Sequence, residues 1–537
     1  MTIPYTFQNQ TGPIPLSELD ANFTALSSSA NVNFTQTGSG SVTRSVQNKL
    51  QETVSVKDFG ATGDGATDDT AAFQSALTYA AQTGRVSIYA PSGRYKLTNK
   101  INIAPSVVSP GQNHLYIDFF GDGHSTQIVQ TTANSVFSFT GLTHNVSFRD
   151  FDVICTFTDN TATNGVFYFP DGNSDSYYEN IVYTVDPGTT TIGSSFYICG
   201  TDKYNDTVTF INCIAFVRRY GYKIGKGSSV FIVGGRMIGR YPTDTSGVGL
   251  YLTGGNGGVW IWGTDFITHQ VGAFITQDSG TSNREIFLSQ GCVDSCDVGM
   301  SITDSSYVSW TGVWAASCNS SNISYAPASD SALLNISGGT IFNAGNLGSG
   351  TPTNMYGLSI NQYGKALVSG VTFRNNKNRA ISCNSGARSE YAKIIGCHFY
   401  ENGDTAIANS CQAYLAGAIS FTNNTLKTGS STYAVPNVLV DSGAISTAKI
   451  VGNEGYQGIG LRTNPTLAAS NVDSTNSTGQ TLDGYIRQGT VSTVWVNGNP
   501  VYDYGAGSSA NCKITLQPND TFKIVYASAP SINWYFL

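Results

Sequence analysis

Charge is what this 537-residue sequence has least of. Asp, Glu, Lys and Arg together make up 12%, about half the usual share of roughly 25%. The balance is acidic, with 28 Lys and Arg against 35 Asp and Glu and a formal net charge of −7. No basic tract appears, which argues against a nucleic-acid partner, because phosphate binding needs clustered Lys and Arg to replace counterions. No apolar run approaches the roughly 20 residues of a membrane span, so no membrane insertion is expected. The N-terminus lacks a basic region followed by an apolar core, so no signal peptide is expected either. The ten cysteines form no matched C-x-x-C pairs, and Cys292 and Cys296 have no His at ligand spacing. They read as buried free thiols of a chain made in a reducing cytoplasm; no metal and no cofactor is expected.

What is present is glycine (59 residues), aromatics (12%) and abundant β-branched and small polar residues. That mixture describes many short strands joined by tight turns rather than disorder. Val54 to Leu97 organises the rest. A short alternating strand leads into turns at Gly60, Gly63 and Gly65. Asp68 or Asp69 then stands as helix N-cap before Thr70. The following segment sets Phe73 with Leu77, and Ala76 with Ala80, on one apolar face, and strands at Val86–Tyr89 and Tyr95–Leu97 flank a Pro91–Gly93 turn. Asp64 to Asp68 lacks the acidic spacing and closing Glu of a calcium loop.

Asp58-Phe59-Gly60-Ala61, Gly63-Asp64-Gly65, Asp68-Asp69 and Pro91-Ser92-Gly93-Arg94-Tyr95, in that order, resemble the entry segment of phage tailspikes of the pectate-lyase-like superfamily. The resemblance implies an all-β fold, a right-handed parallel β-helix with an N-terminal capping helix, a small C-terminal antiparallel β-module and a homotrimeric state. It divides the chain into 1–50, a virion-attachment segment docking on a phage tail or baseplate protein; 51–462, the β-helix with the carbohydrate site; and 463–537, a module for trimerisation or carbohydrate binding. The implied location is the virion tail and the implied partner a bacterial surface polysaccharide.

The residues themselves carry a repeat. Glycine followed closely by an apolar anchor recurs at Phe216, Met237, Phe266, Val293, Trp314, Ile341, Phe373 and Phe399, at intervals fit for one three-strand coil. Residues on either side of an inward anchor point outward. Acids are scarce on those outward positions, and Asp265 and Asp294 fall on neighbouring rungs. Asp297 adds a carboxylate at the next corner. Rung spacing and a two-residue offset place the Asp265 and Asp294 Cα atoms roughly 8 Å apart, compatible with either glycosidase geometry. Asp265, Asp294 and Asp297 are therefore the candidate catalytic set, one carboxyl donating to the glycosidic oxygen and another activating water. Each also fits a corner Asp bonding its own backbone. Arg236, Trp260, Trp262, His269, Glu285, Asp304, Tyr307 and Trp310 are the candidate substrate-binding residues, with Trp314 assigned to the core. Three functions fit: a hydrolase that depolymerises the polysaccharide, a lyase using His269, Arg236 or Arg374 on an acidic sugar, and a non-catalytic adhesin.

Past residue 462 the pattern changes to alternating strands around an Asn497-Gly498 hairpin signal and ends in an aromatic tail. In the first segment, Leu16 to Leu26 reads as a short helix too small to carry a core of its own, followed by a polar linker over Ser27–Ser45.

Overall fold

A computed structural model describes the chain apart from residues 1–4, 9–10, 84–85, 105–115, 158–163, 186–194, 202, 278–281, 305–306, 329–330, 346–353, 362, 364, 385–391, 428–434, 442–447, 456–464, 477–480, 518 and 537. The expected boundary at 462–463 lies outside the described residues.

The architecture is a right-handed parallel β-helix. Each coil has a longer strand, a short strand and a third strand. The first two kinds run through a 25-stranded sheet and the third builds a separate 13-stranded sheet. One full coil is Asn256–Trp262, Asp265–Ile267 and Val271–Ile275, and the next is Glu285–Ser289, Cys292–Asp294 and Val298–Ile302. The repeated glycine has a geometric cause. Gly234, Gly263, Gly370 and Gly396, between long and short strands, and Gly312 and Gly338, at the same corner inside the continuous strands Tyr307–Ala316 and Leu333–Phe342, all have φ between 62° and 66°. In that left-handed region a Cβ is penalised, so glycine is favoured. A second left-handed corner follows the short strand, at Thr268, Ser295, Ser317, Asn343 and Asn375.

Inside, side chains stack coil on coil. Phe119, Phe137, Phe148, Phe167, Tyr178 and Phe210 form a continuous aromatic pile with centroids 4.8–6.1 Å apart. Buried Asn residues serve the corners in the same way: Asn376 Nδ2 donates to Asn402 Oδ1 at 2.8 Å and to the Ile341 carbonyl at 3.1 Å. Nine of the ten cysteines are buried free thiols as expected, while Cys292 is only half-buried.

The helix Thr70–Thr83 closes the N-terminal end of this core. Its buried Phe73 packs edge-on against Tyr95 at 5.2 Å and near Phe119 at 6.1 Å. Burying a ring of this size is worth roughly 2–3 kcal/mol. Asp68 takes the first-turn N–H of Thr70 at 3.1 Å. The Asp69 carboxylate instead holds the glycine turn, accepting from the N–H groups of Thr62 at 2.7 Å and Gly63 at 3.2 Å.

Six of the eight anchors point inward. Phe216 and Trp314 do not: Ala215 and Ala315 occupy the inward register beside Met237 and Val293. Trp314 is 45% exposed, a correction to its assignment to the core. Neighbouring interior space is already filled by Tyr183 and Tyr222 near Ala215, and by Trp310 and Tyr325 in the Trp314 coil, all buried.

The C-terminal module is a five-stranded antiparallel sheet. Its longest hairpin joins Leu482–Val496 to Asn499–Leu516. Asn497 and Gly498 both have positive φ (49° and 75°), as a type I′ turn requires. The aromatic tail is packed in part within the chain: Trp534 meets Phe522 at 5.2 Å and donates to the Pro465 carbonyl at 3.0 Å. At the other end, helix Leu16–Leu26 leaves Leu16, Phe23 and Leu26 exposed. The stretch expected to be a plain linker carries a small antiparallel pairing of Asn33–Phe34 with Arg44–Ser45.

Candidate functional site

Parallel register carries the outward residues of the short strands into two columns. In the first, Arg236 pairs with Asp265, Asp265 with Cys292, Cys292 with Trp314, and Trp314 with Thr340. In the second, Ile238 pairs with Ile267, Ile267 with Asp294, Asp294 with Ala316, and Ala316 with Phe342. Asp265 and Asp294 thus stand one rung apart and two residues out of register, which is ~8 Å between Cα atoms.

Each carboxylate has a partner. Arg236 donates to Asp265 Oδ2 from Nε and Nη2, both at 3.0 Å. Asp294 accepts from Ser295 Oγ at 2.9 Å and, on its other oxygen, from Trp314 Nε1 at 3.4 Å. Trp314 is steadied edge-on by Phe342 at 5.0 Å. Between the two acids lies the Cys292 thiol, whose ionisation is pushed far up, first by burial and then by the negative charges of Asp265 and Asp294. Trp262 precedes Asp265 by three residues across the Gly263 corner; it is exposed and donates to Gln290 Oε1 at 3.2 Å. On the long-strand face, Trp260 stacks between Phe231 at 4.9 Å and Phe287 at 5.7 Å, with its own ring still accessible.

The other expected residues are placed differently. Asp297 is a clasp: Oδ1 accepts from Tyr241 at 3.1 Å and Asn319 at 2.9 Å, and Oδ2 from Gln270 at 2.6 Å. It holds the 239–247 insertion to the following coils. His269 is fully buried, and its Nε2–H donates to the Met237 carbonyl at 2.9 Å. Burial, outweighing that carbonyl and Asp244, lowers its pKa to about 4. It faces the interior and not a substrate. Trp310 is 1% exposed and Asp304 is also buried, so both are removed from any polymer lying on the surface. Burial raises the Asp304 carboxyl's pKa, against a hydrogen bond from Ser282. Glu285 and Tyr307 pair with each other at the start of their strands; Glu285 lies four residues, roughly 13 Å, before Ser289, the partner of Trp262.

A cleft of about 690 Å³ is lined by Ile154, Thr184, Val185, Phe216, Val217, Arg218, Ile238, Gly239 and Arg240. Its outer wall is Phe216, the residue assigned inward; the repeat interval alone points as well to Ala215. Among the described residues, no group of three or more His, Cys, Asp and Glu is arranged to hold a metal ion, and no helix is long and apolar enough to cross a membrane.

Residues 53–323 match the family described as rhamnogalacturonase A/epimerase, pectate lyase-like. The chain belongs to that family. The solved tailspike protein of Escherichia coli bacteriophage HK620 in complex with a pentasaccharide has the same fold at 14% identity, with TM-score 0.50 over 96% of this chain and 98% of that one. A 43-residue stretch, 8% of this chain, is 54% identical to the mannuronan C5-epimerase AlgE3 and to alginate lyase 7, both of Azotobacter vinelandii. Those matches span only 2% and 5% of the two relatives. The pectate lyase-like match covers both Asp265 and Asp294, and ends within the coil after theirs.

Proposed function

We propose that this chain is a phage tailspike that binds a bacterial surface polysaccharide along the flank of its short-strand sheet and cuts it by hydrolysis. The observation carrying this reading is the pair Asp265 and Asp294, outward on adjacent rungs with Trp262 and Trp314 exposed beside them. Asp265, clamped by Arg236, is the carboxylate that activates water. Asp294, held by Trp314 and Ser295, is the proton donor to the glycosidic oxygen. The ~8 Å between their Cα atoms is compatible with the carboxyl spacing of either glycosidase class. Fold likeness to a pentasaccharide-bound tailspike supports the polymer class, and the exposed apolar face of helix Leu16–Leu26 supports attachment to a tail protein. A homotrimer belongs to the same reading.

Two alternatives differ in what favours them. For the lyase reading, His269 is buried, whereas Arg236 and Arg374 remain exposed, paired with Asp265 and Glu401. A non-catalytic adhesin is favoured by the Arg236–Asp265 ion pair, which suits sugar binding without turnover. Haloes on a host lawn that vanish with Asp294→Asn while adsorption persists support the hydrolase. Adsorption without haloes by the unmodified protein supports the adhesin, and an ultraviolet-absorbing product supports the lyase.

A further inference from the structure

At the corner before the short strand, the coils around the acid pair carry Gly234, Gly263, Gly312 and Gly338, and coils further out carry Asn212 and Asn423, all at positive φ. Glycine and asparagine are the residues that enter this left-handed region most readily. The coil that carries Asp294 breaks the pattern: Gln290 holds its corner, at φ 53°. A long side chain adds nothing to the turn itself. A residue held in a disfavoured conformation beside a reaction centre points to a task for its side chain.

That side chain is aimed. Gln290 Oε1 accepts from Trp262 Nε1 at 3.2 Å, bridging one coil to the next. An indole N–H can only donate, so the carbonyl end of the amide faces Trp262 and its NH2 end is turned away. Gln290 is exposed, and among the described residues nothing accepts from that NH2. Trp262 is 60% exposed. The Trp260 ring is covered by Phe231 on one side and Phe287 on the other, whereas no ring is stacked on Trp262 among the described residues. The result is a free indole face with an oriented pair of N–H donors at its edge.

Position and charge narrow the ligand. Trp262 lies just before the Gly263 corner that leads to Asp265, and Gln290 is the corner that leads to Cys292 and Asp294. Burial first, then the charges of Asp265 and Asp294, oppose ionisation of the Cys292 thiol. An anionic sugar meets the same repulsion, and the Arg236 guanidinium is already paired with Asp265.

We propose that Trp262 and Gln290 form the subsite for the sugar next to the bond that is cut, and that this sugar is a neutral pyranose. Its apolar C–H face lies on the Trp262 indole, and a hydroxyl oxygen at its rim accepts from Gln290 Nε2. Trp262 thus both carries the ring and orients the amide that selects it. This deepens the reading of Asp265 and Asp294 as the reaction centre and rests on it for the position of the bond.

The test compares the full chain with Gln290→Gly, which restores the residue of the neighbouring corners, and with Gln290→Asn, whose amide suits a left-handed corner but is one methylene short of Trp262. The probes are purified bacterial capsular and O-antigen polysaccharides, with binding followed by calorimetry and tryptophan fluorescence and with melting temperature measured beside it. At least one polymer is expected to bind the unmodified chain and shift its fluorescence, and Trp262→Phe is expected to remove most of that shift. Both Gln290 variants are expected to melt at or above the unmodified chain, yet to bind that polymer roughly three- to tenfold more weakly. The loss is expected to be the same at low and high salt, as for a neutral contact. Unchanged binding by both variants, a loss of binding matched by a lowered melting temperature in both, a loss that vanishes at high salt, a fluorescence shift that survives Trp262→Phe, or failure of every polymer to bind would overturn the proposal. If the Gln290 variants bind weakly while Asp294→Asn cuts the polymer at full rate, the subsite stands and the reaction centre falls. If Asp294→Asn stops cutting while both Gln290 variants bind like the unmodified chain, the centre stands and the subsite falls.

Discussion

Asp265 and Asp294 lie on consecutive short strands, 29 residues apart in sequence, with Cys292 directly in register with the first and two residues before the second. The β-helix makes them neighbours; nothing in their local sequence does. That relationship can be read out chemically, because the thiol reports both charges.

Cys292 is the accessible member of the ten cysteines, and its thiolate is opposed by burial and by both carboxylates. Alkylation at pH 8 is expected to be slow. Asp265→Asn or Asp294→Asn removes one negative charge, and the rate is expected to rise by roughly three- to tenfold. Timed iodoacetamide labelling followed by peptide mass analysis measures it. An unchanged rate in both variants would place the acids away from the thiol.

His269 predicts an acid-side loss of stability. Its pKa is about 4 in the folded chain, against 6.5 ordinarily. Between those values the unfolded chain holds a proton that the folded chain does not, so stability rises with pH across this window. As pH falls from 6.5 to about 4, roughly 3 kcal/mol is lost, with no further loss from this group below. Thermal melting from pH 7 to pH 4 tests this. His269→Gln is expected to flatten that segment of the profile, whatever its effect at pH 7.

Asn376 is expected to be a structural keystone. Its side chain serves Asn402, Ala344, Asn322 and the Ile341 carbonyl, all within 3.4 Å. Asn376→Ala leaves several buried groups unpaired, at about 1–3 kcal/mol each. A lowered melting temperature or faster unfolding in denaturant is the expected result; Asn335→Ala, at a half-buried position with one weak 3.5 Å hydrogen bond, serves as the comparison.

Much of this fold was legible because it is periodic. The corner before the short strand favours glycine, at Gly234, Gly263, Gly338, Gly370 and Gly396, and the interior takes an apolar residue three positions later, at Met237, Phe266, Ile341, Phe373 and Phe399; Val293 follows Gln290 at the same corner. Legibility failed where size misled. At Ala215 and Ala315 large rings from adjacent strands occupy the core, so alanine points in and the neighbouring Phe216 and Trp314 point out. Both positions lie on the flank that carries Asp265 and Asp294, and Trp314 there is the donor to Asp294. His269 and Trp310 were unreadable for a related reason. A polar or amphipathic residue next to a corner faces in or out according to hydrogen bonds with distant coils, such as the Met237 carbonyl 32 residues away.

In the proposed hydrolysis, Asp294 gives its proton to the glycosidic oxygen. Reducing-end release from the host polysaccharide, measured beside binding of the same polymer, tests it most directly. Asp294→Asn is expected to lower turnover by roughly 10²- to 10⁴-fold while binding stays within about threefold of the unmodified chain. Full turnover by Asp294→Asn would contradict the account.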